Sequence, residues 1–272
     1  LNCFYCFNNK SQNTNSKKLT ISDYSTLFEN LKNNGFSTII LTGGEPLIYP
    51  EIYEIIKLSK KINFETLLLT NAQIIDNNIC ENLKNSGLDG ITISLSNLIE
   101  LNDALENKID FYEQKINIIE KYFDFVTSTF LITSKNFKYI HRIYKKFSND
   151  TNRSVIFQPL YLQENSDNFD KYSLSKISDD DWKEIKQQLS DWMIKHNTYS
   201  YIQLFHDLIK GIKPTNMMTC FMGTSAVIID YYGDVYPCFH RKDLYAGNIL
   251  KHNFKDLIIN TLYKSDSLVS AP

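Results

Sequence analysis

The sequence predicts an α/β protein, a partial (β/α)6 barrel of parallel strands with a small C-terminal β-hairpin extension. Short, continuously apolar runs rich in β-branched residues alternate with longer segments that carry apolar residues at helical spacing. Toward the C terminus this alternation gives way to two short apolar runs on either side of Gly233, which is typical of a hairpin. The 272 residues suffice for one large α/β domain, or for such a domain with a smaller partner.

Helices and strands follow one another in a regular order along the first 160 residues. Helices are predicted at 22–34, 50–62, 76–86, 110–122 and 136–148, and strands at 37–42, 65–70, 90–95, 124–132 and 153–160. With a strand before residue 7 they amount to roughly six βα units. Residues 163–178 are predicted to form a loop, 178–196 one long amphipathic helix, and 226–237 the hairpin. We therefore expect a barrel domain at 1–212 and a small, incomplete domain at 213–272.

The composition excludes several classes of protein. A formal net charge of −2 gives no overall attraction for nucleic acid or an anionic membrane, and no apolar run approaches the length of a membrane helix. Five cysteines are too few for a disulfide scaffold, so a reducing cytoplasm is the expected location. Because the sequence opens on Leu1 rather than Met, we expect it to be a piece of a longer protein.

Two motifs lie where consecutive predicted strands end. Cys3 and Cys6 form a C-x-x-C pair, which could bind zinc or one iron-sulfur cluster, act as a redox pair, or remain two reduced thiols. The next strand ends in Gly43-Gly44-Glu45-Pro46, where glycines let a ligand approach the backbone and the carboxylate suits an ammonium group. Taken singly, the second motif could be a plain strand-to-helix turn. Ligands of parallel sheets bind at the carboxyl ends of strands, so the two motifs together indicate one binding site.

The two motifs resemble the signature of the radical S-adenosylmethionine (SAM) superfamily, C-x-x-x-C-x-aromatic-C followed by G-G-E-P. The resemblance implies that Cys3 and Cys6 hold a four-iron four-sulfur cluster, with a first cysteine two positions before Leu1. It places Tyr5 against the SAM adenine. It also assigns to SAM binding the four residues of the second motif, Gly43, Gly44, Glu45 and Pro46.

The resemblance extends to polar residues after the later strands, which it assigns to SAM binding: Asn71, Ser94, Ser96 and Asn136. Three positions depart from the family pattern. Ala72 replaces a glycine and Ser96 an aspartate, while Glu106 stands where many members carry an arginine. Another residue, for which Lys108 is a candidate, must then clamp the SAM carboxylate, or the clamp is absent. For a single polar residue such as Ser96, a hydrogen bond that caps a loop is the open alternative.

The C-terminal segment resembles a second family element. Cys220, Gly233, Cys238 and the run Gly247-Asn248-Ile249 are similar to the opening of the SPASM extension, which ligates auxiliary iron-sulfur clusters. The resemblance makes Cys220 and Cys238 metal ligands, and the remaining cysteines of such a domain would follow Pro272. The open alternatives are a shortened, twitch-like domain and two buried cysteines that hold no metal. Cys80 matches no motif and is predicted to be a buried small hydrophobic residue within a helix.

The resemblance implies an oxidoreductase in which an external one-electron donor, such as flavodoxin or ferredoxin, drives cleavage of SAM to a 5′-deoxyadenosyl radical. That radical abstracts hydrogen from a peptide or protein substrate, so a peptide maturase is expected, with no catalytic acid or base assigned. A sulfatase-maturating enzyme that forms formylglycine is the main alternative, with Asp230 or Asp234 as candidates for its carboxylate. A non-catalytic peptide-binding relative, or an unrelated α/β protein with structural zinc, also remains open.

Overall fold

The computed structural model describes residues 17–99, 105–149, 151–160, 162, 167–196, 203, 206–207, 210, 222–223, 225–239 and 243–269. Helices and strands alternate along the first part of this chain as the sequence predicts. The helices are α1 Ile21–Asn33, α2 Ile52–Lys61, α3 Asn77–Asn85, α4 Leu105–Ile119, α5 Ile140–Phe147, α6 Phe169–Tyr172, α7 Asp179–Gln188, α8 Ser190–His196 and α9 Phe254–Val269. The strands are β1 Thr38–Leu41, β2 Glu65–Thr70, β3 Gly90–Ser94, β4 Val126–Ile132, β5 Arg153–Pro159, β6 Ile228–Ile229, β7 Asp234–Tyr236 and β8 Gly247–Asn248.

The first five strands form one sheet, in the order β1-β2-β3-β4-β5. The pairs β2/β3, β3/β4 and β4/β5 are parallel, which confirms the predicted α/β class with parallel strands. Each strand is followed by a helix, as a parallel connection requires. The strand predicted before residue 7 lies outside the described residues.

The described residues divide into two compact units. The first contains those within 1–66, 86–88 and 218–272, and the second those within 67–85 and 89–217. The domain boundary expected between residues 212 and 213 falls in a stretch that the structure does not describe, so that boundary stays a prediction. None of the described helices is both long and apolar enough to cross a lipid bilayer.

In the second unit the sheet has two different faces, because successive side chains of a strand point to opposite sides. One face is buried: Ile93, Phe130 and Phe157 have no exposed surface, and Phe157 packs edge-on against Trp192 of α8 with ring centroids 5.5 Å apart. The opposite face, called here the half-exposed face, keeps part of its surface accessible. Its side chains are those of Leu67, Leu69, Thr92, Ser94, Thr127, Thr129, Leu131, Ser154, Ile156 and Gln158.

In the first unit the C-terminal segment shares a core with the N-terminal helices. Phe254 of α9 belongs to the same buried cluster as Leu27, Phe28 and Leu31 of α1 and Phe64. The helix α1 begins at a capping box, in which the Thr20 hydroxyl accepts from the Asp23 N–H and the Asp23 carboxylate accepts from the Thr20 N–H.

The predicted hairpin is confirmed, and it carries a third strand. β6 and β7 are antiparallel, and Gly233, with φ +84°, lies in the turn between them. A Cβ at Gly233 would lie 2.7 Å from a side-chain carbon of Ile249, so both the backbone conformation and the space require glycine. β8 pairs antiparallel with β7 and was not predicted, because two residues are too short a run to show alternation.

Two further expectations require correction. The segment 178–196 forms two helices rather than one, since α7 ends before Leu189, which is fully buried, and α8 begins at Ser190. The bend lets Trp192 donate a hydrogen bond from Nε1 to the Val155 carbonyl oxygen at 2.7 Å. The predicted loop at 163–178 contains α6 and a short 3-10 helix, Leu174–Lys176, capped by the Ser173 hydroxyl.

Candidate functional site

The Gly43–Pro46 segment forms an open turn after β1. Gly43 has φ +138°, a conformation that favours glycine, and Thr42, Gly43 and Gly44 are all exposed. A Cβ added at Gly43 or Gly44 would meet no atom within 4 Å. The space over both glycines is therefore free for a ligand to contact the backbone.

Glu45 and Pro46 fix the direction in which the chain leaves this turn. Pro46 is buried and begins a short 3-10 helix, Pro46–Ile48, where its fixed φ is favourable. The Glu45 Oε1 accepts a hydrogen bond from the Leu47 N–H at 3.2 Å, so the half-buried carboxylate caps this helix. A held carboxylate beside exposed backbone suits the ammonium group of an amino-acid ligand.

In the second unit a tight turn follows β2. The Thr70 hydroxyl accepts from the Ala72 N–H at 3.0 Å, and the Asn71 Oδ1 accepts from the Gln73 N–H at 2.9 Å. Ala72, where the family pattern has glycine, is fully buried with φ +60°. The left-handed turn is thus present with a residue other than glycine, at some cost in backbone energy.

Asn136 connects the loops that follow β3 and β4. Its side chain is fully buried, and its Oδ1 accepts from the Thr133 N–H at 2.7 Å. Its Nδ2 donates to the Leu98 carbonyl oxygen at 3.0 Å and to the Leu131 carbonyl oxygen at 2.8 Å. Both amide hydrogens are used within the protein, so this side chain holds the two loops in place.

Tyr112 of α4 holds the same loop from another side. The side chain is fully buried, and its hydroxyl oxygen accepts from the Asn97 N–H at 3.1 Å. The sequence analysis missed this residue, because an aromatic residue at an apolar helix position gives no sign of what its hydroxyl contacts. Tyr112 and Asn136 together hold the short 3-10 helix Ser96–Leu98 after β3.

Ser94 and Ser96 lie at the end of β3 and just beyond it. Ser94 is half-buried on the half-exposed face, and the Ser96 Oγ is buried with no hydrogen-bond partner in the described part of the chain. A buried hydroxyl without a partner is uncommon in native proteins and is satisfied when a ligand supplies the missing hydrogen bond. The Ser96 hydroxyl is thus available for a further hydrogen bond, and its assignment to SAM binding stays a prediction, whereas Asn136 supports the loop beside it.

Glu106, the third departure from the family pattern, lies in the first turn of α4. Its carboxylate forms an ion pair with Arg142 of α5, and both side chains are close to half exposed or more. An exposed pair of this kind contributes little to stability.

The region after β7 contains one of the predicted metal ligands. Cys238 follows β7 and is half-buried. In β7 itself, burial and the nearby carboxylates of Asp234 and Asp230 raise the pKa of Tyr236 to about 12. The Asp230 Oδ1 accepts from the N–H groups of Tyr232 and Asp234. The Asp234 Oδ1 accepts from the Asn248 Nδ2 at 2.7 Å, so these two carboxylates stabilise the hairpin.

The other cysteine predictions have different outcomes. Cys3, Tyr5, Cys6 and Cys220 lie outside the described residues, so their assignment as cofactor contacts stays a prediction. Cys80 is fully buried, as predicted, and burial raises the pKa of its thiol to about 11.

The described site residues suit the groups that the sequence motifs imply. The exposed glycine backbone and the Glu45 carboxylate suit the amino-acid part of SAM, and the unpaired Ser96 hydroxyl offers a neutral hydrogen bond. Cys238 carries a thiol that forms no disulfide, and thiols are the donor type that iron-sulfur clusters require. Parallel strands and a glycine turn at a strand end are the features of an α/β protein with its ligand site at the strand ends, the class to which radical SAM enzymes belong.

The chain belongs to the radical SAM superfamily, whose model matches residues 1–146. A second model, that of the SPASM iron-sulfur cluster-binding domain, matches residues 220–268. Membership implies SAM and a four-iron four-sulfur cluster as cofactors, and the second domain implies auxiliary iron-sulfur clusters. This agrees with the fold class, enzyme class and cofactors expected from the sequence.

The proteins that are similar to this chain are named for different enzymatic activities. A probable GTP 3′,8-cyclase of Methanocaldococcus jannaschii is 27% identical over 254 residues, which cover 89% of this chain and 82% of that protein. The PqqA peptide cyclase of Gluconobacter oxydans is 26% identical over 100 residues, which cover 37% of this chain and 28% of that protein.

Among solved structures, SuiB of Streptococcus suis bound to its precursor peptide SuiA superposes with a TM-score of 0.63 at 18% identity. The match covers 97% of this chain and 63% of SuiB, and at this identity the likeness concerns the fold.

Proposed function

We propose that this chain is the catalytic part of a peptide-modifying radical SAM enzyme, which abstracts hydrogen from a peptide or protein substrate. The observation that carries the reaction class is the open glycine turn after β1, with the Glu45 carboxylate held beside it. A SPASM domain after the radical SAM domain, together with likeness to the PqqA peptide cyclase, supports a peptide as substrate.

When bound, the cluster and SAM supply a 5′-deoxyadenosyl radical, formed with one electron that we propose comes from flavodoxin or ferredoxin. The protein's own residues then have positioning tasks. Glu45 accepts hydrogen bonds from the ammonium group of SAM, and the exposed backbone of Gly43 and Gly44 contacts its amino-acid part. Tyr112 and Asn136 hold the loop that presents the Ser96 hydroxyl. Cys3 and Cys6 are proposed cluster ligands, and Cys220 and Cys238 proposed ligands of an auxiliary cluster.

The test is anaerobic incubation of the full-length, cluster-reconstituted protein with SAM and dithionite, followed by chromatography for 5′-deoxyadenosine. The wild type is expected to form it, and Cys3→Ala and Cys6→Ala are expected to lose it. Cys80→Ala is the matched control, because that cysteine is buried within α3, and is expected to keep the activity. Equal loss in all three variants would contradict the ligand assignment.

A nucleotide substrate is the second candidate, favoured by the long alignment with a probable GTP 3′,8-cyclase. The same assay with added GTP separates the two. Consumption of GTP in step with SAM would replace the peptide proposal, whereas unchanged GTP leaves the peptide as the substrate to be sought.

A further inference from the structure

From Leu67 to Gln158 the half-exposed face of the described strands carries no charged side chain, and the exposed carboxylate of Glu65, on the same side of β2, belongs to the first unit. Register places Thr92 of β3 beside Thr127 of β4, and Thr127 beside Ser154 of β5. One level higher, Ser94 is beside Thr129. Hydroxyl groups therefore form one row across three strands and, beside it, a second row across two strands.

The remaining positions of this face are aliphatic or amide. Leu69 is beside Thr92 in the lower row, Ile156 is beside Thr129 in the upper row, and Gln158 is beside Leu131. Ile156 is 41% exposed, so apolar surface is accessible here together with the hydroxyls. Such a surface combines groups that donate and accept neutral hydrogen bonds with groups that pack against aliphatic side chains.

The charged residue of β5 lies on the opposite face. Arg153 donates from Nε to Glu120 Oε1 at 2.6 Å and from Nη2 to Asn117 Oδ1 at 2.8 Å. Its guanidinium is therefore engaged at the buried face, where it cannot compensate an anion on the half-exposed face. An anionic group taken out of water needs a cation or a full set of donors, and the half-exposed face supplies only neutral donors.

The same strands also lack side chains that readily give up a hydrogen atom. Residues 67–70, 90–94, 126–132 and 153–159 include no cysteine, tyrosine, tryptophan or methionine. Thiols and phenols are good hydrogen-atom donors toward a carbon radical, whereas serine and threonine hydroxyls are poor ones. The face is therefore chemically suited to lie beside a radical reaction without being consumed by it.

Resting on the proposed function, we infer that the substrate segment lying against the half-exposed face is uncharged: an extended peptide stretch with small or aliphatic side chains. Its amides hydrogen-bond to the threonine and serine rows, and its side chains pack against Leu69 and Ile156. Phosphate and carboxylate groups of a substrate are kept away from this face.

The experiment uses the full-length protein with a cysteine placed on either side of one strand. Thr129→Cys puts a thiol on the half-exposed face, and Ser128→Cys, one residue earlier, puts it on the buried face, where Ser128 is 1% exposed. Neutral methyl methanethiosulfonate and anionic sulfonatoethyl methanethiosulfonate are the probes. Each converts the thiolate to a mixed disulfide and releases methanesulfinate, and mass spectrometry of the peptide carrying the new cysteine gives the rate.

We expect the neutral reagent to label Thr129→Cys at least about tenfold faster than Ser128→Cys, since buried thiols are inert. The anionic reagent should label Thr129→Cys no faster than the neutral reagent does, once the rate of each reagent is divided by its own rate with free cysteine. A cation within about 5 Å would favour the anionic reagent by about fourfold or more. Such a preference would overturn the inference, and so would a Thr129→Cys thiol that neither reagent labels, because the face would then be covered.

Thr92→Cys serves as a second reporter on the same face if Thr129→Cys does not fold. The labelling rates do not depend on SAM cleavage, so the two proposals fail separately. An anion-attracting face in a protein that forms 5′-deoxyadenosine would overturn the substrate class alone. Absence of 5′-deoxyadenosine in the reconstituted protein would overturn the proposed function.

Discussion

Replacing Asn136 by aspartate is expected to destabilise the second unit strongly, although the two side chains have the same number of heavy atoms and the same shape. The carboxylate can still accept from the Thr133 N–H, which lies 2.7 Å from Oδ1 in the wild type. It cannot donate to the carbonyl oxygens of Leu98 and Leu131, which receive the two amide hydrogens at 3.0 and 2.8 Å. Two buried carbonyls then face an oxygen that also carries negative charge.

The magnitude follows from the number of groups affected. Each of the two buried carbonyl groups left without its hydrogen bond costs about 1 to 3 kcal/mol. Asn136 has no exposed surface, so water offers little relief. For the two groups together we expect a loss of about 2 to 6 kcal/mol in the free energy of unfolding at neutral pH, a large part of the stability of an ordinary domain.

The assay is urea unfolding of the wild type and the variant, followed by circular dichroism. Asn78→Asp is the matched control: Asn78 is exposed in the first turn of α3, where a negative charge is favoured by the helix dipole, so its effect should stay within about 0.5 kcal/mol. If Asn136→Asp costs less than about 1 kcal/mol, the hydrogen bonds of Asn136 do not hold the two loops as described.

Three further predictions concern other parts of the molecule. Trp192→Phe keeps an aromatic ring but removes the hydrogen bond to the Val155 carbonyl oxygen, so we expect a loss of about 1 to 2 kcal/mol; an unchanged melting temperature would contradict this. With its pKa raised to about 11, the Cys80 thiol is only about 0.1% ionised at pH 8, so iodoacetamide should modify it only after unfolding; rapid alkylation of the native protein would refute this. Thr20→Ala removes the cap of α1 and should cost about 1 kcal/mol at pH 7. Hydrogen bonds from Thr20 lower the pKa of Asp23, so the stabilisation is present above the ordinary value of 3.8 and is lost as the pH falls through the lowered pKa. The difference between wild type and Thr20→Ala should therefore shrink in strong acid, and a constant difference in urea unfolding would argue against the cap.

The parallel part of the fold could be predicted because local pattern and final burial agree there. The strand expected at 65–70 is β2 with the same limits, and the strand expected at 90–95 ends one residue earlier. In a run such as Ile91-Thr92-Ile93, the residue types themselves show which side chains are buried: both isoleucines are buried and the threonine between them is half-buried. The start of α4 was placed five residues too late, at 110 rather than Leu105, since the first turn contains Glu106 and other polar residues that hide the helical period.

Elements that form because of contacts with residues distant in the sequence could not be predicted from local patterns. β8 is only two residues long, and it is held by the Asn248 side chain, which donates to the Tyr232 carbonyl oxygen at 2.9 Å and to Asp234. The bend between α7 and α8 goes with the contact of Trp192 with Val155, 37 positions earlier in the chain. Neither partner is visible from the residues of the element itself.

The three departures from the family motifs show why a motif locates a site more reliably than it assigns a role to each residue. Ala72 stands where the family pattern has glycine and adopts a left-handed conformation, which costs alanine more energy than glycine. Ser96 replaces a carboxylate but keeps a polar atom, buried and without a partner among the described residues, where a ligand can use it. Glu106 replaces a cation and is instead paired with Arg142 at the surface, so it adds no negative charge to the half-exposed face. At each of the three positions the structure thus shows how this chain accommodates the residue it carries, while the part that these residues take in binding SAM stays a prediction.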